Sequence, residues 1–219
     1  MAIKNIFFDF DGVLAESVSA KTIAFKEMYL SYGKDIANKV VEYHIENGGV
    51  SRYEKFRYWE KQFFGKDLSK TELKQMADRF SELVLQKVID SEAVSESLWF
   101  LKKYNKTLRF WVITGTPTAE IEKIAKARKI DCFFEGLHGS PENKIHWSEY
   151  LLRTYNLDRT ETLFLGDATT DMDAAKFSKL HFALRRNKEN RELFKDYDGL
   201  EFEDFKQLEK LLIEQKLLY

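Results

Sequence analysis

Cysteine and proline are scarce in this 219-residue chain, at one and two residues. The single cysteine, Cys132, excludes an internal disulfide and suits a reducing compartment. Its apolar neighbours in IDCFFEG lead us to expect a buried, inert thiol. No tract rich in proline or glycine marks a linker, and no repeat or low-complexity segment is present. Nor is there an apolar run approaching the roughly 20 residues of a membrane span. The opening MAIKNIFFDF is too short and too interrupted by charge for a signal peptide, so a cytoplasmic location is expected. Net charge is also small, at −1, which removes the electrostatic case for nucleic acid or a membrane surface as partner. The four histidines, His44, His138, His146 and His181, show no metal-ligand spacing.

What the chain has is a soluble balance of 44% hydrophobic and 32% charged residues, enough for a substantial core. Five short apolar runs end in small or polar residues: KNIFFDFDG, LRFWVITGTP, IDCFFEGLHG, TLFLGDATTD and KLHFALRRN. Helix-like stretches follow the first four. Near-continuous apolar strands alternating with helices predict an α/β fold, Rossmann-like and three-layered, with a central parallel sheet. Thr116-Pro117 and Ser140-Pro141 each read as an N-cap with proline at the first helical position.

Residues 16–90 break the alternation. Leu73, Met76, Ala77, Phe80, Leu83, Val84 and Val88 mark one face of a long helix. Val18, Phe25, Met28 and Tyr32 do so for an earlier helix, and Ile36, Val40, Val41, His44 and Ile45 for the next. We expect a helical cap over 16–90, inserted into a core made of 1–15 and 91–219. The final EDFKQLEKLLIEQKLLY reads as an amphipathic helix packed on the sheet.

In parallel α/β sheets, ligands collect at the carboxyl ends of the strands. The residues just beyond the apolar runs are Asp9 and Asp11, then Thr114 and Gly115, then Lys144, then Asp167 and Asp171. Several carboxylates at one edge repel one another and call for a cation, and hard oxygen donors favour Mg²⁺ over zinc. Thr114 and Gly115, before a helix, suit an anion, and Lys144 adds a point charge for it. The set describes a phosphoryl site with a carboxylate nucleophile to hand.

DFDGV, VITGTP, SPENK and LGDATTD, in this order, resemble the four motifs of the haloacid dehalogenase-like superfamily, and the likeness spans the whole chain. The helical insert lies where members with a helical cap, the phosphoglycolate phosphatase and β-phosphoglucomutase-like group, carry theirs. The resemblance implies that Asp9 attacks phosphorus and that Asp11 serves as acid and then base. It implies Mg²⁺ held by Asp9, Asp167 and the backbone carbonyl of Asp11, with Asp171 orienting the metal's waters or Lys144. Thr114, Gly115 and Lys144 would bind the phosphoryl oxygens. The name-giving dehalogenases lack the second aspartate, so Asp11 argues for phosphoryl transfer. The implied activity is hydrolysis of a small phosphorylated metabolite. The alternatives are a mutase-type phosphoryl transferase and, from another class, a non-catalytic binding module.

Within the insert, Gly48-Gly49-Val50-Ser51-Arg52 resembles the cap loop of the mutase-like relatives, where an arginine meets the distal part of the substrate. Arg52 and Lys55 are therefore substrate candidates; a solvated basic helix face is the competing reading. Lys21 stands where β-phosphoglucomutases carry a histidine, which weakens the mutase reading. It is either a cleft contact or a solvated residue. Tyr53, Phe56, Trp59 and Phe63 have helical spacing and read as cap core. Arg185 and Arg186 read as solvated.

Overall fold

The computed structural model of the protein describes residues 2–218. Met1 and Tyr219, included above at the ends of the core, lie outside the described residues. Six strands form one sheet: β1 (Asn5–Phe8), β2 (Arg109–Pro117), β3 (Gly136–Ser140), β4 (Thr162–Gly166), β5 (His181–Arg185) and β6 (Leu200–Phe202). Their spatial order is β3-β2-β1-β4-β5-β6, and every pairing is parallel. The chain moves outward one way through β2 and β3, then returns to β1 and moves the other way. The order thus reverses between β1 and β4, where a doubly wound sheet opens its ligand crevice.

Alternation along these strands builds two cores, because successive side chains point to opposite faces. Phe7, Trp111, Ile113 and Phe164 pack beneath Leu151 and Leu152 of α7 (Lys144–Thr154) and Ala174 and Ala175 of α8 (Thr169–Phe177). On the other face Phe8, Phe110, Val112 and Leu165 meet three helices. These are α5 (Ser97–Tyr104), α6 (Thr118–Ala127) and α9 (Phe205–Glu214), which contribute Phe100, Ile121, Phe205 and Leu208. Burial on both faces explains why the strands read as near-continuous apolar runs.

Between β1 and α5 lie α1 (Val18–Tyr29), α2 (Lys34–Glu46), α3 (Arg52–Phe64) and α4 (Lys70–Asp90). Ser51 and Ser69 begin α3 and α4 by accepting the backbone N–H of Glu54 and Glu72, and Glu72 completes a capping box. Phe25 stacks on Phe80 at 4.0 Å between centroids, with Trp59 edge-on at 5.0 Å. Trp59 is fully buried although its Nε1 meets no acceptor. Burying so large a ring gains about 4–6 kcal/mol, against about 1–3 for the unpaired N–H, so packing wins. Tyr32 and Ile45, assigned above to helix faces, are instead 54% and 40% exposed. Tyr32 falls in a 3-10 turn after α1, where the helical period has ended.

Three other expectations are corrected. The IDCFFEG run is not strand: residues Asp131–Phe133 form a 3-10 turn, β3 starts only at Gly136, and Cys132 is exposed. Thr116 does not cap α6, because β2 runs on to Pro117. Ser140 does not cap α7 either. Its hydroxyl donates to the Gly115 carbonyl, and Asn143 caps instead, its Oδ1 accepting from His146 N at 2.8 Å.

Candidate active site

The site forms where β1 and β4 end side by side. Asp9 N donates to the Leu165 carbonyl at 2.8 Å, extending the β1–β4 pairing to the first aspartate. Its carboxylate is 3% exposed and accepts from Phe10 N at 2.6 Å and Lys144 Nζ at 2.7 Å. Lys144 opens α7 and also donates to Asp171 Oδ1 at 2.6 Å. Lys144 is 4% exposed, so its ammonium is buried in the site rather than solvated on the start of α7. Burial disfavours its charge, but Asp171 and Asp9 outweigh that penalty and hold the ammonium above the usual lysine range.

Asp9, Asp167 and Asp171 each offer an oxygen, and these oxygens lie within 4.8 Å of one another. One lysine cannot balance three buried carboxylates. Burial, then Asp9 and Asp171, push Asp167 well above the usual carboxylate range. Asp171 is raised to about 7, by burial first and then by Asp9 against the opposing Lys144. A buried, all-oxygen donor set with excess negative charge fits a hard divalent cation such as Mg²⁺. Asp171 also caps α8, its Oδ2 accepting from Ala168 N at 3.1 Å. Gly12 completes the turn at φ +78°, and a Cβ there would meet Asp167 Oδ2 at 2.0 Å.

Asp11 faces a different set of partners. It accepts from Ser17 Oγ at 2.6 Å, from Thr116 Oγ1 at 3.1 Å and from Lys21 Nζ. Burial raises its pKa, but Lys21 and these hydrogen bonds prevail and lower it. The Thr116 hydroxyl accepts in turn from Lys21 at 2.7 Å. Thr114 is 2% exposed and its Oγ1 accepts from Thr116 N at 3.2 Å. Gly115 lies against the cap: a Cβ on it would meet the Gly49 carbonyl at 2.5 Å.

Asp9, Asp11, Thr114, Gly115 and Asp167 line one small cavity of about 90 Å³ together with Lys21, Arg52 and Lys55. Lys144 and Asp171 do not line it and stand behind Asp9, joined to each other through the Lys144 ammonium. Arg52 is not on a solvated face. It is 4% exposed and donates to both Glu120 oxygens, at 2.6 and 2.8 Å, and to Ser81 Oγ at 2.6 Å. Lys55 is 1% exposed, with Nζ 2.7 Å from His44 Nδ1. Arg185 is buried rather than solvated, because Glu16 pairs with its guanidinium. Arg186 pairs with Glu201 at 2.7 Å.

Two residues escaped the sequence reading. Asn187 Nδ2 donates to Asp167 Oδ2 at 2.8 Å, and Asn190 Nδ2 to the Asp167 carbonyl at 2.8 Å. They follow β5, so the strand-end rule applied one strand further would have found them.

Residues 6–184 match the family model described as haloacid dehalogenase-like hydrolase. A phosphoglycolate phosphatase of Haemophilus influenzae is 28% identical over 182 residues, which cover 78% of this chain and 80% of that protein. One from Photorhabdus laumondii is 30% identical over 183 residues, covering 80% and 76%. Among solved structures, a predicted phosphoglycolate phosphatase from Haemophilus somnus aligns with a TM-score of 0.72 at 21% identity. That alignment covers 95% of this chain and 97% of the other. With the motif residues gathered at one sheet edge, the chain belongs to the haloacid dehalogenase-like hydrolase family, as a phosphatase.

Proposed function

We propose that the protein is a Mg²⁺-dependent phosphomonoester hydrolase that acts on a small phosphorylated metabolite through an aspartyl-phosphate on Asp9. The observation that carries this reading is the division between the two aspartates. Asp9 lies with Lys144, Asp167 and Asp171, whereas Asp11 lies apart with Lys21, Ser17 and Thr116. One carboxylate cannot attack phosphorus and move a proton at once, so two environments suit two roles.

In the first step an Asp9 oxygen bonds to phosphorus as the bond to the leaving oxygen breaks; Asp11, a carboxylate at rest beside Lys21, takes up a proton from solvent as substrate enters and gives it to that oxygen. In the second, Asp11 takes a proton from water as the water oxygen attacks phosphorus, which frees Asp9 and releases phosphate. Asp9, Asp167 and the Asp11 carbonyl are the proposed Mg²⁺ ligands, with Asp171 adjoining them; the ion would neutralise charge on the phosphoryl oxygens. Thr114 Oγ1, Gly115 N–H and Lys144 hold the transferring group.

Residues 16–90 are proposed to act as a cap over a core of 1–15 and 91–219, excluding bulk water when closed. Its connections run side by side, Glu16 N donating to the Glu92 carbonyl at 2.9 Å, and the hinge is placed at Leu14–Ser17 and Asp90–Glu92. The named relatives make 2-phosphoglycolate the first substrate to try. The reading is tested by phosphate release from a panel of phosphomonoesters with Mg²⁺, for wild type and Asp9→Asn. Turnover persisting in Asp9→Asn would sink the nucleophile assignment.

A further inference from the structure

Three cations, Lys21, Arg52 and Lys55, line the active-site cavity and a fourth, Lys144, adjoins it through Asp9; all but Lys55 are balanced by carboxylates. Lys144 holds Asp9 and Asp171, Lys21 holds Asp11, and Arg52 holds Glu120. Lys55 is different. Among the described residues no carboxylate lies within ion-pair distance of it, and its polar partner is His44 Nδ1 at 2.7 Å. The pair is walled by the cap's aromatic core: Phe25 lies 4.8 Å from the His44 ring and 5.7 Å from Lys55 Nζ. Yet both residues line the cavity that also holds Asp9, Asp11 and Thr114. A buried amine with its charge unanswered, facing a small substrate cavity, is a place prepared for an anion.

We infer that the Lys55–His44 pair is the receptor for a carboxylate at the far end of the phosphorylated substrate, and that Arg52 is a strut of the cap rather than a substrate contact. The inference rests on the phosphatase reading of the same crevice and adds which kind of ester enters it. Arg52 is the weaker candidate because its charge is already met by Glu120, with three of its N–H groups engaged on Glu120 and Ser81. Breaking that bidentate buried pair to greet a substrate would strand Glu120 in the interior. Lys55 sacrifices only a neutral nitrogen contact that it can keep, because an ammonium has three donors.

The charge state of the pair gives a second signature. Burial first, then Lys21 and Lys144, lower Lys55 to about 7, with Asp11 and Glu54 opposing. Burial, then Lys55 and Lys21, keep His44 well below its usual range, so it is neutral and Nδ1 accepts. From the other elements around the pair, Arg52 brings charge already met by Glu120. Above neutral pH the resting pair is therefore largely uncharged. A carboxylate entering beside it draws one proton from solvent onto Lys55 Nζ, which then donates to both the carboxylate and His44.

The test is calorimetry on the Asp9→Asn protein with Mg²⁺, comparing 2-phosphoglycolate with 2-hydroxyethyl phosphate, an ester of equal length with a neutral end. We expect the acid to bind at least about tenfold more tightly and, at pH 8, to take up close to one proton more than the neutral ester, read in two buffers of different ionisation heat. Lys55→Gln should remove both the preference and the extra proton; Lys55→Met serves if the glutamine protein folds poorly. Equal binding of the two esters, or a preference that survives loss of Lys55, overturns the inference. Hydrolysis of 2-hydroxyethyl phosphate by the wild-type protein reports the phosphatase reading separately, because that ester makes no demand on Lys55.

Discussion

Lys144 Nζ lies 2.7 Å from Asp9 Oδ2 with both groups buried, so the proposed nucleophile is tied directly to the cation that would meet the phosphoryl oxygens. The same ammonium reaches Asp171 at 2.6 Å. Replacing it leaves three carboxylates without a protein cation nearby. We expect Lys144→Met to lower kcat by about 10²–10³, the usual cost of losing a positioned charge donor. Stability should fall by about 3–5 kcal/mol, as when one partner of a buried ion pair is removed. Steady-state kinetics and urea unfolding check the two effects, and Mg²⁺ should recover part of the stability but not the rate.

The Asp9, Asp167 and Asp171 oxygens, within 4.8 Å of one another, also predict that metal binding is a stability event. Mg²⁺ at a hundredfold excess over its Kd should stabilise the folded chain by about 2.7 kcal/mol, and a chelator should reverse this and stop turnover. Asp167→Asn should lose the Mg²⁺-dependent rise in Tm. A melting point indifferent to Mg²⁺ in wild type would count against the metal assignment.

These core residues were legible because strand ends are a topological rule: DFDG and LGDATTD follow apolar runs that can only be central parallel strands. The cap chemistry was not. His44 and Lys55 sit on different helices, eleven residues apart, and no spacing signature announces a contact that only the packing of α2 on α3 creates. Arg52 read as a substrate candidate because its partner Glu120 lies 68 residues away on α6. Cys132 was misplaced for the reverse reason: apolar neighbours suggested a strand, but the run closes in a 3-10 turn before the edge strand β3, where one side has no neighbour.

The Arg52–Glu120 pair gives a prediction that separates strut from substrate contact. Both side chains are nearly excluded from solvent, at 3% and 8% exposure. Arg52→Met should destabilise by about 3–5 kcal/mol because it leaves Glu120 buried and uncompensated. The double variant with Glu120→Gln should recover much of that loss, since no charge is then stranded. Denaturant unfolding of the three variants measures the coupling. Additive losses would show that the two side chains do not act as a pair.

Lys55 leads to the opposite expectation for stability. Its folded-state pKa of about 7 lies below the ordinary lysine value of 10.5, so folding releases a proton at any pH between the two. The unfolded chain binds more protons there, and Lys55 therefore makes stability rise with pH from about 7 to 10.5. Below that window the amine is charged in both states and the burial penalty is present in full. Lys55→Met removes the penalty at the cost of the hydrogen bond to His44 Nδ1. The variant should be more stable than wild type at pH 6 by a few kcal/mol, at about 1.4 per pKa unit less about 1 for the lost bond. The advantage should shrink steadily above pH 7 and be gone by pH 10. Unfolding curves at four or five pH values decide it; a difference independent of pH would mean that Lys55 keeps its ordinary charge. A variant that is more stable yet loses its preference for an acid-ended ester would mark Lys55 as a residue kept for binding, in a position the fold alone would fill with an apolar side chain.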